Sequence, residues 1–197
     1  MPTFKIKETN TNFQSKKDST SHFEHLSDSV LKKHSNIITQ SIENYKDIGF
    51  PKEDETIHYV TKRAFNAISI LHILNDKYRI LELTIVVYSI TKISAIEILN
   101  IAKKNNIVVN IVISDIRNTA FEKKEIAIKL FEENKKYIKL IYAGSHAKII
   151  LVKTENKNLC ISSSANLGSN SRIEQYIIDD SKILYQFHKD WINELNN

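Results

Sequence analysis

A single cysteine, Cys160, excludes any disulfide within this chain. Set between Leu159 and Ile161 in a strand-like run, it reads as a small buried hydrophobe. Glycine is almost as scarce, with three in 197 residues. No G-x-G-x-x-G and no P-loop lysine motif exists, so a nucleotide-cofactor reading has no support. No apolar run is long enough to span a bilayer, and the polar N-terminus lacks the apolar core of a secretion signal. No group of His, Cys and carboxylates has metal-site spacing, so neither a metal nor another cofactor is expected. These absences lead to the expectation of a protein with no integral membrane association, kept in a reducing cytoplasm.

What is present is enough chain for one domain with a real core. The formal charge is +5, which favours a polyanionic partner, nucleic acid or an anionic surface. Residues 1–28 are rich in Lys, Asp, Ser, Thr and Asn and read as a flexible polar tail. His22 and His25 in it read as solvated side chains. From Ser29 to Tyr45, apolar residues (Val30, Leu31, Ile37, Ile38, Ile42, Tyr45) recur at helical spacing, so an amphipathic helix is expected there. It and the acidic link to Glu55 form a second segment, 29–55.

The main domain is expected over 56–197. Ile57–Val60, Leu81–Ile90 and Ile107–Ser114 read as strands, the last two buried on both faces. Arg63–Leu74, Lys92–Asn105 and Ala120–Asn134 read as helices. Lys139–Tyr142 leads into a hairpin flanked by Gly144 and Gly168. Ile173–Ile178 is the last strand, and Ser181–Leu195 a closing helix with Leu184, Phe187, Trp191 and Leu195 on one stripe. Alternating strands and helices followed by a hairpin give an α/β class, a mixed β-sheet covered by helices on both faces, with an N-terminal helical arm.

The hairpin carries the chemistry. In Gly144-Ser-His-Ala-Lys148, alternation puts His146 and Lys148 on one face. The returning strand holds Ser163-Ser-Ala-Asn166, and Glu174 follows in Ser171-Arg-Ile-Glu-Gln-Tyr176. A turn centred near Asn156 would set Lys148 opposite Ser164 and His146 opposite Asn166. An imidazole, an ammonium, a hydroxyl and an amide on one patch are the groups needed to hold and attack a phosphodiester. His-x-Lys alone carries no information; its company does. Ser164 could equally bond backbone, and Glu174 could be a strand residue paired with a surface cation. At the ends of the central strands, where open α/β sheets gather ligands, Tyr88 could stack on a base and Arg117 could meet a phosphate. His58 and His72 read as structural, and His188 as exposed.

These residues resemble the phospholipase D superfamily. The family pattern is His-x-Lys, four residues, Asp, then Gly-Ser-x-Asn and a downstream carboxylate. Here it is met by His146-Ala-Lys148, Ser164-Ala-Asn166 and Glu174. From about residue 56 the chain looks like the small single-motif members, the bacterial phospholipase D-like endonucleases. It departs at two positions. The family Asp, largely structural, is Lys153 here, and the family Gly is Ser163, a change that an extended backbone tolerates.

The resemblance implies a phosphodiesterase. His146 would be the nucleophile, forming a phosphohistidine, and Glu174 would orient its ring. Lys148, Asn166, Ser164 and Ser163 would hold the non-bridging oxygens. Charge, size and the single motif favour a metal-independent nuclease acting on DNA or RNA. A phospholipid phosphodiesterase, or a nucleic-acid-binding module of the same fold with a damaged site, are the alternatives. One motif per chain supplies one imidazole where two are needed, so a homodimer is expected.

Overall fold

The computed structural model describes residues 36–42, 48–61, 66–114, 121–168 and 173–195. Eight strands form one sheet: β1 (Asn36–Ile42), β2 (Glu55–Thr61), β3 (Glu82–Val87), β4 (Val109–Ser114), β5 (Ile138–Ala143), β6 (Ile149–Lys153), β7 (Asn158–Ser163) and β8 (Gln175–Asp180). Their order is β1-β2-β8-β7-β6-β3-β4-β5. β3, β4 and β5 run parallel, β1 runs parallel to β2, and the pairs β2–β8, β8–β7, β7–β6 and β6–β3 are antiparallel. The mixed sheet expected from the sequence is therefore present.

Four helices are described: α1 (Ala67–Lys77), α2 (Lys92–Asn105), α3 (Phe121–Glu132) and α4 (Lys182–Glu194). Each start with an N-cap is set by a short polar side chain. Asn66 accepts from Ile68 N, Thr91 from Ser94 N and Ser181 from Leu184 N, satisfying donors that a helix leaves open. α2 stops at Asn106, whose φ of 52° is left-handed, a conformation asparagine tolerates better than most residues.

Period-two alternation sorts the strand residues between two cores. Leu83, Ile85 and Val87 of β3, with Ile111 and Ile113 of β4, join Leu71 of α1, Ile98 of α2 and Phe131 of α3. Val86, Val112, Leu151 and Cys160 point the other way, onto Tyr185 and Ile192 of α4. One face thus carries three helices and the other α4. Truncating a fully buried side chain such as Leu151 to Ala would cost about 2–5 kcal/mol. Cys160 is 1% exposed, as its apolar neighbours suggest, and burial pushes its thiol up to about 12.

Three expectations need correction. Residues 36–42 form an edge strand, not part of an amphipathic helix; the remainder of 29–45, apart from this strand, lies outside the described residues, as does the tail 1–28 with His22 and His25. The run Asn36-Ile-Ile-Thr-Gln-Ser-Ile42 is rich in β-branched residues, and the free side of β2 gives it a partner. The sheet accordingly begins at Asn36, and Ile48 is already buried in the main core. On α4 the buried residues are Tyr185 and Ile192, with Leu184 and Trp191 beside them, while Leu195 is exposed. Among the described residues no helix is long and apolar enough to cross a membrane.

Candidate active site

The hairpin register differs by one residue from the expected one. Ile149 faces Ser162 and Lys153 faces Asn158, and Ser163 N donates to Lys148 O at 3.1 Å. The turn explains it. Thr154 closes a tight loop, its N donating to Lys157 O and its Oγ1 accepting from Lys157 N at 3.0 Å. The loop is centred between Glu155 and Asn156, and a one-residue slip would reverse every facing. His146 and Lys148 also lie just before β6, in a segment without regular secondary structure, not in a strand.

The antiparallel pairing of β6 with β3, Val86 facing Ile149, brings this segment beside the C-terminal end of β3. The C-terminus of β7 and the start of β8 lie at the same end of the sheet, Ser163 facing Tyr176. Thus the sequence-predicted residues Tyr88, His146, Lys148, Ser163, Ser164, Asn166 and Glu174 all gather at one sheet end. Arg117 lies outside the described residues.

His146 is exposed. Its Nδ1 is met by Lys148 Nζ at 2.9 Å, and the same ammonium donates to His146 O at 2.7 Å. Burial holds the Lys148 pKa below the ordinary lysine value, and the Glu174 charge pulls part of it back. Glu174 is itself buried and accepts a short hydrogen bond from Ser164 Oγ. Its backbone is fixed on Thr61, whose Oγ1 accepts from Glu174 N at 2.9 Å. Ser164 Oγ also accepts from Gln175 N at 3.1 Å. Ser163 Oγ donates to Ala165 O at 3.0 Å, a backbone contact. Ser163 ends β7, so it has the extended backbone that tolerates a side chain in place of glycine.

Asn166 sits in a loop held down at both sides. Ile90 and Leu167 form an isolated parallel bridge, and Thr91 N donates to Leu167 O at 2.9 Å. A Cβ on Gly168 would come to 3.4 Å from Thr91 Cγ2, so the loop lies close on the first turn of α2. Among the described residues, Asn166 Oδ1 is buried without a hydrogen-bond partner. Leaving such an acceptor unsatisfied costs about 1–3 kcal/mol, a cost that stable folds tolerate mainly where the group has work to do.

Two residues at this end went unnoticed in the sequence or were read differently. The Tyr88 ring packs against the imidazole of His146, centroids 4.8 Å apart and planes at 46°. Lys124 of α3, one lysine among many, is only 1% exposed. Its Nζ donates to Ser114 O at 2.8 Å and lies 5.5 Å from the Tyr88 ring centre. The only signal for it was position: a lysine in the first turn of a helix that follows the end of a central strand.

Lys153, at the family's Asp position, binds Glu82 at 3.1 Å, and Glu82 also holds Lys189. It is the last residue of β6, about 13 Å along the strand from Ile149, which follows Lys148. This departure therefore sits at the far end of the strand from the imidazole. Among the described residues no three His, Cys, Asp or Glu side chains converge as a metal site would require. His72 pairs with Glu97 at 3.2 Å. His188, expected to be exposed, is half-buried and accepts from Trp191 Nε1 at 3.0 Å, because α4 turns that side toward the sheet.

The fold is phospholipase D-like, as its similarity to solved structures shows. No family model matches the chain, and no curated protein matches it. Among solved structures, the phospholipase D family member Nuc from Salmonella typhimurium is similar with a TM-score of 0.51 and 20% identity, over 72% of this chain and 95% of that one. NucT from Helicobacter pylori is similar with a TM-score of 0.50 and 16% identity, over 72% and 96%. A polyphosphate kinase from Porphyromonas gingivalis has a TM-score of 0.49 and 13% identity over 64% of this chain, which spans 23% of the kinase.

Proposed function

We propose that the protein is a phosphodiesterase that cleaves DNA or RNA through a phosphohistidine on His146. The observation that carries this reading is the 2.9 Å contact between Lys148 Nζ and His146 Nδ1, at the sheet end that also carries Asn166 and Glu174. With the ammonium donating, the ring hydrogen sits on Nε2. A bound phosphodiester anion is a stronger acceptor and draws Lys148 onto its non-bridging oxygen. The imidazole, free to change tautomer, then attacks phosphorus. The N–P bond forms, the P–O bond to the leaving group breaks, and the departing oxygen takes a proton. Water, deprotonated by the group that protonated the leaving oxygen, then attacks phosphorus; a P–O bond forms, the N–P bond breaks, and the phosphomonoester end and the free imidazole are released.

The proton donor is assigned to His146 of a second copy. Of the described histidines outside the site, His72 pairs with Glu97, His188 with Trp191, and His58 lies on β2. A two-fold axis through the phosphate would supply the second imidazole. An excess of His146→Ala chains mixed with wild type should then suppress activity beyond simple dilution. A fully active monomer would remove this part of the reading.

The choice of nucleic acid rests on the +5 charge and on the ammonium of Lys148 beside the imidazole. The deciding experiment incubates wild type and His146→Ala with labelled DNA, RNA and phosphatidylcholine in EDTA. Nucleic-acid cleavage that vanishes in the variant supports the proposal. Cleavage of phosphatidylcholine alone assigns a lipid phosphodiesterase. Salt-sensitive binding with no cleavage assigns a non-catalytic module.

A further inference from the structure

We propose that the open edge of β5 carries a single-stranded nucleic acid on from the His146 site, the ring of Tyr142 stacking on an unpaired base while Lys135 and Lys139 meet its phosphates. The proposal rests on the nuclease reading and deepens it, because it names the form of nucleic acid that the protein takes.

β5 ends the strand order, so its outer side has no strand partner among the described residues. A cavity of about 320 Å³ lies along it, with Lys135, Lys139, Leu140, Tyr142 and Glu132 in its lining. Tyr142 is 49% exposed, and among the described residues no other tyrosine, phenylalanine or tryptophan is left so open. An aromatic ring held half in water beside a cavity is surface that a ligand can cover. Its hydroxyl donates to Glu132 Oε1 at 3.3 Å, which ties down the tip of the ring. Among the described residues no ring or ammonium group stacks on its face. Tyr137, just before β5, is different: Lys103 lies 5.9 Å and Lys136 5.3 Å from its ring centre.

The charges along this edge fit a polyanion. Lys135 and Lys139 are exposed, and neither has a carboxylate partner among the described residues. Lys104, Lys153, Lys157 and Lys189 each hold one. Glu132 opposes the two cations in the lining, so the balance there is positive. A lysine on an edge strand also hinders pairing with another chain. That accounts for Lys139 but not for Lys135, which precedes the strand, nor for the open ring. Cations in a groove beside a stacking ring are the arrangement that binds single strands. The edge is also within reach of the site. β3, β4 and β5 run parallel, and Tyr142, next to last in β5, pairs with Ile113 of β4, so it lies toward the sheet end that holds His146. β5 is two strands from β3, about 10 Å across the sheet, a span of about three nucleotides at 3.4 Å each. A base stacked within a duplex has no free face for the ring, so the edge selects unpaired strands.

The test uses Tyr142→Leu, Tyr142→Phe and the pair Lys135→Ala with Lys139→Ala in the full chain. Binding is measured in the His146→Ala background, so that turnover does not enter, with labelled oligothymidylate, a blunt DNA duplex and phosphatidylglycerol vesicles. Tyr142→Leu should weaken binding of the single strand by about fivefold or more and leave the duplex little changed. Tyr142→Phe keeps the ring and should bind as its parent does. The lysine pair should lower the slope of log affinity against log salt by about 1.4, for two phosphate contacts on a single strand. With His146 present, hydrolysis of bis(p-nitrophenyl) phosphate, too small to reach Tyr142, should keep its kcat and KM in all three. A Tyr142→Leu chain that binds the strand as tightly as its parent would overturn the stacking. An unchanged salt slope would overturn the phosphate contacts. Loss of bis(p-nitrophenyl) phosphate hydrolysis in step with binding would overturn the track in favour of a structural role, and tighter binding to the vesicles than to the strand would overturn it in favour of a lipid surface. If wild type cleaves no diester while these variants still weaken binding of the strand, the catalytic reading fails and the track stands.

Discussion

Lys148 holds its Nζ 2.9 Å from Nδ1 of His146 and, with the same group, donates to the His146 carbonyl. Two residues apart on one segment before β6, they form a contacting pair of ammonium and imidazole. On the proposed mechanism, His146→Ala removes the nucleophile and should lower kcat by about a thousandfold or more. Lys148→Ala should fall similarly far, since it removes the charge that meets the phosphate oxygens. Single-turnover rates on labelled DNA check both, and a near-wild-type rate for His146→Ala would remove the site.

The same pair predicts an early alkaline limb. Burial lowers the Lys148 pKa below its ordinary value of 10.5, and Glu174 opposes that shift. The ammonium is lost as pH rises through the lowered pKa, so kcat/KM, which reports the free enzyme, should fall at a pH below 10.5. Bound phosphate stabilises the ammonium and should move the limb of kcat upward. In Glu174→Gln the opposing charge is gone, so the kcat/KM limb should shift further down even if the rate itself is reduced. A limb that stays in place in this variant would argue that Glu174 does not act on Lys148.

Much of the core was legible because long apolar segments announce their period. Lys92–Asn105 forms a helix over the span read from its spacing, and the buried runs of β3 and β4 were evident from Thr84-Ile-Val-Val87 and Ile111-Val-Ile113. Residues 36–42 were misread because Ile37, Ile38 and Ile42 satisfy a helical spacing as easily as a strand, and only the open edge of β2 decides between them. At the site, residue types and strand order sufficed to gather His146, Lys148, Asn166 and Glu174 at one sheet end. The register did not follow from them, because it depends on how Thr154 closes the turn. Lys124 was beyond reach: nothing in the local sequence distinguishes a buried lysine from its solvated neighbours.

Nucleic-acid binding should depend steeply on salt, since cations that meet phosphates release condensed counterions. Cleavage should survive excess EDTA, because the histidine route needs no metal. A titration of binding against salt, with cleavage assayed in EDTA, tests both. Activity that disappears with EDTA and returns with Mg²⁺ would contradict the proposed chemistry.

His188 should make the fold acid-sensitive. Burial lowers its pKa below the ordinary 6.5, with Asp179 pulling it partly back. The unfolded chain therefore binds this proton before the folded one does. The stability contribution is complete above about pH 6.5 and is lost as pH falls toward the depressed folded-state value. Unfolding curves between about pH 8 and pH 5 should show a decline that is smaller in His188→Phe. Equal slopes for the two proteins would place the acid sensitivity elsewhere.

The most direct test of the account is to trap the intermediate on His146. Wild-type protein would be mixed with internally ³²P-labelled DNA and quenched within the first turnover in alkaline denaturant, where phosphohistidine survives. The account predicts label covalently attached to the protein, released by acid, located on the peptide containing His146 and absent from His146→Ala. Cleavage of the DNA with no label on the protein, or with label that persists in His146→Ala, would contradict it.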